Sequence, residues 1–260
     1  MHISMVETPA IVVDLDILER NIERVASYAR EHHLRVRPHT KTHKSPLIGR
    51  MQLEAGAAGL TVAKVGEAEV MLGSGTPDLL VAYPVIGETK LRRLMDVAMR
   101  TSVTVALDSE EAASALSGAA VSSNVSVGVL VEEDVGLGRT GLHDVSSLVN
   151  LARKVHAMPG LRLAGFNFYP GHLKRMDEDG LVHLRRLGAL LEETADCWNR
   201  AGLPLEIVSG GSTPTLFHSH LLAALTVNQT KVKFKLVMVF SQFQHKRFFS
   251  KEIFSQHIMS

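Results

Sequence analysis

Cysteine occurs once in these 260 residues, at Cys197, so no intrachain disulfide can form and a reducing compartment suits the chain. Charge of one sign is lacking too: the formal net charge of +1 gives the whole molecule no field to gather nucleic acid or an anionic membrane. The N-terminal stretch MHISMVETPAIVVDLD has no basic segment followed by an apolar one, and no run approaches a membrane span, so a cytoplasmic protein is expected. Low-complexity segments and helix-pair or blade-type repeats are missing as well. What remains is 45% hydrophobic and 21% charged content, enough to bury the core of one large domain.

What is present is an alternation of two periods. Short β-branched runs at 33–37, 59–63, 78–85, 103–107, 125–133, 161–169 and 205–210 are each followed by a helical pattern. Ser45 and Pro46 stand as N-cap and first turn of a helix that Gly56 ends, and Asp108 opens another with acids in its first turn. Asp16 and Glu19 have capping-box spacing, and Leu18, Ile22, Val25 and Ala29 make an apolar stripe behind them. Amphipathic helices around non-amphipathic strands imply a parallel sheet covered by helices. The expected fold is α/β, a (β/α)8-type barrel incomplete at its last strand. Trp198, the methionines and Cys197 read as packing residues.

In such a barrel chemistry gathers at the C-terminal strand ends. There stand HTKTHK after the first strand, DVGLGRTG after the fifth, YPGH after the sixth and SGGSTPT after the seventh. A Gly/Ser/Thr loop after strand seven can cradle a phosphate on backbone N–H groups. Lys41 has Arg35, Arg37, His39, His43 and Lys44 around it in sequence, and like charges should depress its pKa and free its amine to attack a carbonyl. An activated lysine with a phosphate site points to pyridoxal phosphate held as a Schiff base. The bland alternative is a solvated basic turn. For Arg139 it is a rim salt bridge with Glu132, Glu133 or Asp134. His218 and His220 would share one face if they lay on a strand, as a metal pair does.

TPAIVVDLDIL, RPHTKTHK, GLTVAKVGEAE, DVGLGRTG, GFNFYPGH and SGGSTPT, in this order, resemble the D-threonine aldolase and D-serine dehydratase family, pyridoxal phosphate enzymes of the alanine racemase fold type. The resemblance covers about residues 6 to 220. It implies that Lys41 carries the cofactor and acts as base on the substrate Cα proton, that Arg139 lies near the cofactor's phenolic oxygen and Tyr169 near its ring, and that Gly210, Gly211, Ser212 and Thr213 hold its phosphate. His39 and His43 are either cofactor neighbours or barrel-rim residues. The implied activity is a lyase acting on β-hydroxy D-amino acids, by aldol cleavage or by dehydration, in a homodimer with small-molecule substrates and no nucleic acid or membrane partner. The family's divalent metal implies ligands in a C-terminal β domain, and residues 10–13, AIVV, resemble the strand that pairs with that domain.

Residues 221–260 depart from this pattern. They carry +5 against −4 for residues 1–220, and six of the nine phenylalanines. No Arg-Pro-Gly-Thr-Tyr type of segment and no metal ligands are recognised there, so the metal site is expected to be missing and the chain by itself to be inactive. A basic aromatic tail can suit nucleic acid or a membrane surface, but a divergent C-terminus is the reading preferred. Residues 231–240 alternate apolar and Lys and are expected to pair as a strand beside 205–209 or the first strand, with 241–260 poorly ordered or loosely helical. Two other readings stand beside the enzyme: a non-catalytic pyridoxal phosphate-binding barrel, and an inactive gene fragment.

Overall fold

The computed structural model describes residues 6, 7 and 9–222 and the backbone of 234–240. After helix α1 (Leu15–Glu31) come seven strands, each but the last followed by a helix: β1 (Arg35–His39), α2 (Pro46–Glu54), β2 (Leu60–Val62), α3 (Val65–Met71), β3 (Asp78–Val81), α4 (Glu88–Ala98), β4 (Ser102–Leu107), α5 (Glu110–Ser122), β5 (Val127–Glu133), α6 (Val145–Ala157), β6 (Leu161–Phe168), α7 (Glu178–Arg200) and β7 (Ile207–Gly210). A 3-10 turn (Leu216–Leu221) and β8 (Phe234–Phe240) complete the order. All neighbours are parallel and the strands close in sequence order.

The barrel expected to be incomplete takes a definite form. The seven strands built by residues 35–210 leave one gap, and a strand from the basic tail fills it. Phe234 pairs with Ile207, and Leu236 to Phe240 pair with Arg35 to His39, so both expected neighbours are used at once. Residues 231–233 and 241–260 lie outside the described residues, as does the expectation made for them.

Side chains alternate between two apolar layers. Leu79, Val105, Val129 and Val131 point outward into the helix-covered layer, while Leu80, Ala106, Leu130, Ala164 and Ile207 fill the barrel. Strands buried on both faces explain the near-continuous apolar runs in the sequence. Each fully buried leucine contributes roughly 1.5–3 kcal/mol through the water it sheds.

One strand breaks the alternation. Between β5 and β6 the register shifts after Val129, with Leu163 opposite Val129 but Gly165 opposite Leu130. This bulge changes the phase of β6: Ala164 faces in, yet Phe166 faces out against Trp198. Gly165 has φ 143, and a Cβ there would meet the Ile207 carbonyl oxygen at 2.0 Å, so only glycine fits.

The helix ends refine the sequence reading. Ser45 caps α2 by accepting from Ile48 N, with Pro46 at its first position. The cap of α5 is Ser109, not Asp108, whose carboxylate instead accepts from Gly141 N at 2.9 Å. Asp14, not Asp16, caps α1; its side chain reaches Ile17 N, and Asp16 is left to the first turn, where a carboxylate still favours the helix N-terminus. Ile11 and Val12 of AIVV are exposed and irregular. Among the described residues no helix is long and apolar enough to cross a membrane.

Candidate functional site

At the C-terminal end of the barrel a small cavity is lined by His39, Lys41, Ala63, Ala82, Tyr83, Glu132, Arg139, Asn167 and Tyr169. The strands dictate this membership. His39 ends β1 on its inward phase, Glu132 is the inward residue after Leu130, and Asn167 is turned inward by the bulge.

The turn after β1 is tied by its own histidines. Thr40 N donates to Thr61 O, Lys44 N to Thr40 O, Lys41 N to His39 Nδ1 at 3.2 Å and Ser45 N to His43 Nδ1 at 3.1 Å. Each imidazole accepts a backbone proton and is therefore neutral in this arrangement. Burial, reinforced by the charge of Lys41, depresses His39 to about 3. His43 faces the groove between α1 and α2, away from the cavity. So His39 borders the site and His43 braces the turn from behind.

Lys41 lies in the cavity with its amine half buried. Its pKa is lowered, first by burial and then by the Arg139 charge, with Glu67 acting the other way. The expected direction holds, but its cause is corrected. Arg37 is buried lower in the barrel, its Nη2 2.8 Å from Asp78 Oδ1, and Arg35 opens β1 at the far end. Lys44 is ion-paired with the buried carboxylate of Glu67, whose other oxygen accepts from Ala63 N at 2.8 Å. The neighbours in sequence are spent elsewhere, and a residue 98 positions downstream supplies the like charge.

Arg139 reaches the mouth because the DVGLGRTG loop is folded around Asp134. Asp134 Oδ1 accepts from the N–H groups of Gly136, Leu137 and Gly138 at 2.9, 2.9 and 3.2 Å, and Oδ2 accepts again from Gly138 at 2.9 Å. Gly136, Gly138 and Gly141 all have positive φ, and a Cβ at Gly141 would strike Asp134 N at 2.5 Å. The loop delivers the Arg139 guanidinium over the Tyr169 ring, 4.8 Å from its centroid. No carboxylate lies within ion-pair distance of Arg139 among the described residues, which disfavours the rim salt bridge.

The loop after β7 stands at the same end of the barrel but does not line this cavity. A Cβ at Gly210 would meet the Phe168 ring at 2.4 Å, and Gly211 has φ 122. Ser212 N donates to Thr215 Oγ1 at 3.0 Å, and Thr215 Oγ1 donates to Ser212 O at 3.2 Å, closing a tight turn. His218 and His220 fall on the 3-10 turn, not on a strand, so the metal-pair geometry fails. His220 Nδ1 bonds Tyr28 Oη at 2.8 Å and its ring stacks on His32 at 4.2 Å.

Glu132 and Asn167 were not recognised in sequence as site residues. Both are nearly inaccessible, at 2% and 1%, and Glu132 Oε2 and Asn167 Oδ1 have no protein partner. The acids ending an apolar strand were a signal for Glu132; for Asn167 the bulge hid the phase.

Residues 13–230 match the alanine racemase N-terminal domain family. A 3-hydroxy-D-aspartate aldolase of Paracoccus denitrificans is 35% identical over 221 residues, 84% of this chain and 57% of that protein. A D-threo-3-hydroxyaspartate dehydratase of a Delftia species is 32% identical over 227 residues, 85% of this chain and 59% of the other. The crystal structure of D-threonine aldolase from Filomicrobium marinum superimposes with a TM-score of 0.85 at 31% identity, covering 92% of this chain and 63% of that one. The chain thus spans less than two thirds of the length of each of these relatives.

Proposed function

We propose, from the premise that this chain belongs to the alanine racemase N-terminal domain family, that it is the barrel of a pyridoxal phosphate-dependent lyase acting on β-hydroxy D-amino acids. The family uses pyridoxal phosphate, and the relatives are named for aldol cleavage or dehydration of such substrates. The observation that carries the reading is the half-buried amine of Lys41, its pKa depressed, facing Arg139 and Tyr169 in one cavity. The unpartnered oxygens of Glu132 and Asn167 are what a bound polar group would satisfy.

In this reading Lys41 holds the cofactor and exchanges a proton with the substrate α-carbon, for which a lowered pKa is suited. Arg139 offers countercharge to an anionic oxygen, and Tyr169 flanks a planar group. The loop Gly210, Gly211, Ser212 and Thr213 is assigned to the phosphate, through backbone N–H groups other than that of Ser212, which donates to Thr215 Oγ1. When bound, the cofactor supplies the electron sink for the bond broken at the α-carbon. No group of three His, Cys, Asp or Glu side chains among the described residues could hold a metal, and no step of this reading runs through one.

Pyridoxal phosphate added to the chain and reduced with borohydride should become fixed to the peptide containing Lys41. Lys41→Ala should abolish this fixation, whereas Lys44→Ala, whose lysine is engaged by Glu67, should retain it. The opposite pattern would remove Lys41 from the role.

A further inference from the structure

Behind the loop after β7, helix α1 and the 3-10 turn are tied together by side chains that lie far apart in sequence. Tyr28 on α1 reaches across 192 positions to His220: its Oη accepts from His220 N at 3.1 Å and bonds His220 Nδ1 at 2.8 Å. The His32 ring stacks on His220 at 4.2 Å, the Tyr28 ring meets Phe217 edge-on at 5.2 Å, and the Arg24 guanidinium lies 4.4 Å from the Phe217 centroid. Beneath them Leu216 is buried among Val25, Ala29, Leu34 and Val36, in a cluster separate from the main core. Burial raises the pKa of Tyr28, so its hydroxyl keeps the proton that it gives to His220 Nδ1. Burial lowers that of His220, with His32 and His218 acting the same way and Glu31 opposing, so the ring is neutral at pH 7 and can accept.

The turn held in this way is continuous with the loop assigned to the phosphate. Ser219 Oγ donates to Thr215 O at 3.1 Å, and His218 N donates to the same carbonyl at 3.0 Å. Thr215 in turn shapes the loop, its Oγ1 accepting from Ser212 N at 3.0 Å and donating to Ser212 O at 3.2 Å. Ser212, Thr215 and Ser219 are all buried. A polar chain therefore runs from Tyr28 through residues 220, 219 and 215 to 212, and none of these residues lines the cavity around Lys41.

We propose that Tyr28 is a positioning residue for the phosphate loop: its hydroxyl fixes the 3-10 turn from outside the barrel and so sets Gly210, Gly211, Ser212 and Thr213 in the form that receives the phosphate. The proposal deepens the reading of that loop and rests on it. Two adjacent glycines leave a loop wide conformational freedom, and an outside tether limits it. Backbone N–H groups that are already in place bind an anion more tightly than ones that must first be ordered, because ordering takes up part of the binding free energy.

The test compares two ligands that differ only in the phosphate. Pyridoxal phosphate and pyridoxal are titrated onto the unsubstituted chain and onto Tyr28→Phe, each read by the absorbance gained on fixation to Lys41. Tyr28→Phe should weaken pyridoxal phosphate about fivefold, roughly the worth of one hydrogen bond, and leave pyridoxal unchanged. Equal weakening of both ligands, which a general loss of structure would give, overturns the proposal, and so does no change in either. If Tyr28→Phe fails to fold, His220→Ala decides, since it keeps the backbone bond to Tyr28 and loses only the ring. It should show the same selective loss, about twofold, and a non-selective or absent change overturns the proposal. Gly211→Ala, strained at φ 122, reads the loop itself and should also weaken pyridoxal phosphate selectively. If it does not, the loop reading fails and takes the proposal with it; if it does while Tyr28→Phe does not, only the proposal fails. The Lys41 assignment fails separately, by fixation of the cofactor in Lys41→Ala.

Discussion

Glu133 shows at the residue scale how one step along a strand changes the fate of a carboxyl group. It points outward from β5, where Oε1 accepts from Thr194 Oγ1 at 2.8 Å while Oε2 has no partner. Burial raises it to about 7, against an ordinary value of 4.5. A raised acid favours the protonated fold, so its contribution is intact below pH 4.5, falls as pH climbs towards 7 and is flat beyond. Glu133→Gln should therefore stabilise the protein at pH 8 by up to about 3 kcal/mol, shrinking to near zero at pH 4.5, as followed by urea unfolding. Asp134 makes the opposite case. Its carboxylate gathers three backbone N–H groups, and Asp134→Ala should cost roughly 1–3 kcal/mol in urea unfolding and, on the role proposed for Arg139, weaken pyridoxal phosphate binding, measured by titration.

At the element scale the decisive feature is the bulge in β6. It converts a strand that would have turned Phe166 and Phe168 into the barrel into one that turns Asn167 in and stacks Phe166 on Trp198. Gly165→Ala should then cost roughly 3 kcal/mol or more, because the added methyl meets the backbone of β7. A drop in urea midpoint with unchanged slope would measure it, and an unaffected midpoint would count against the bulge. The loop after β5 is the second such element. Its glycines, its aspartate and its arginine were legible as a motif, but the motif's working parts, an internal carboxylate bonding the loop's own amides, depend on the positive-φ backbone.

For the whole molecule the question is closure. β8 joins β7 to β1, and Val237 sits opposite both Gly210 and Val36. A proline there removes a backbone donor and bends the strand, so Val237→Pro should lower the melting temperature by roughly 2–4 °C for each kcal/mol of destabilisation in a chain of this size. If melting is unchanged, β8 contributes nothing to the closed barrel.

The sequence by itself determined the βα order, the strand and helix positions and the polar residues gathered at the strand ends, because periodicity, caps and glycine-rich turns are local properties of the chain. Lys41 and Arg139 could be placed near one another for the same reason, since each stands just past a strand and a barrel brings such ends to one mouth, while Tyr169 was named from the family resemblance; all three line one cavity. Tertiary structure alone decided which charges act on which. Arg35 and Arg37 are near Lys41 along the chain, yet strand phase and Asp78 send them to other places, while burial first, and then Arg139 arriving after β5, lowers its pKa. The inward turn of Asn167 and the neutral state of His39 were decided there too, since a bulge and burial depend on neighbouring strands that are distant in sequence.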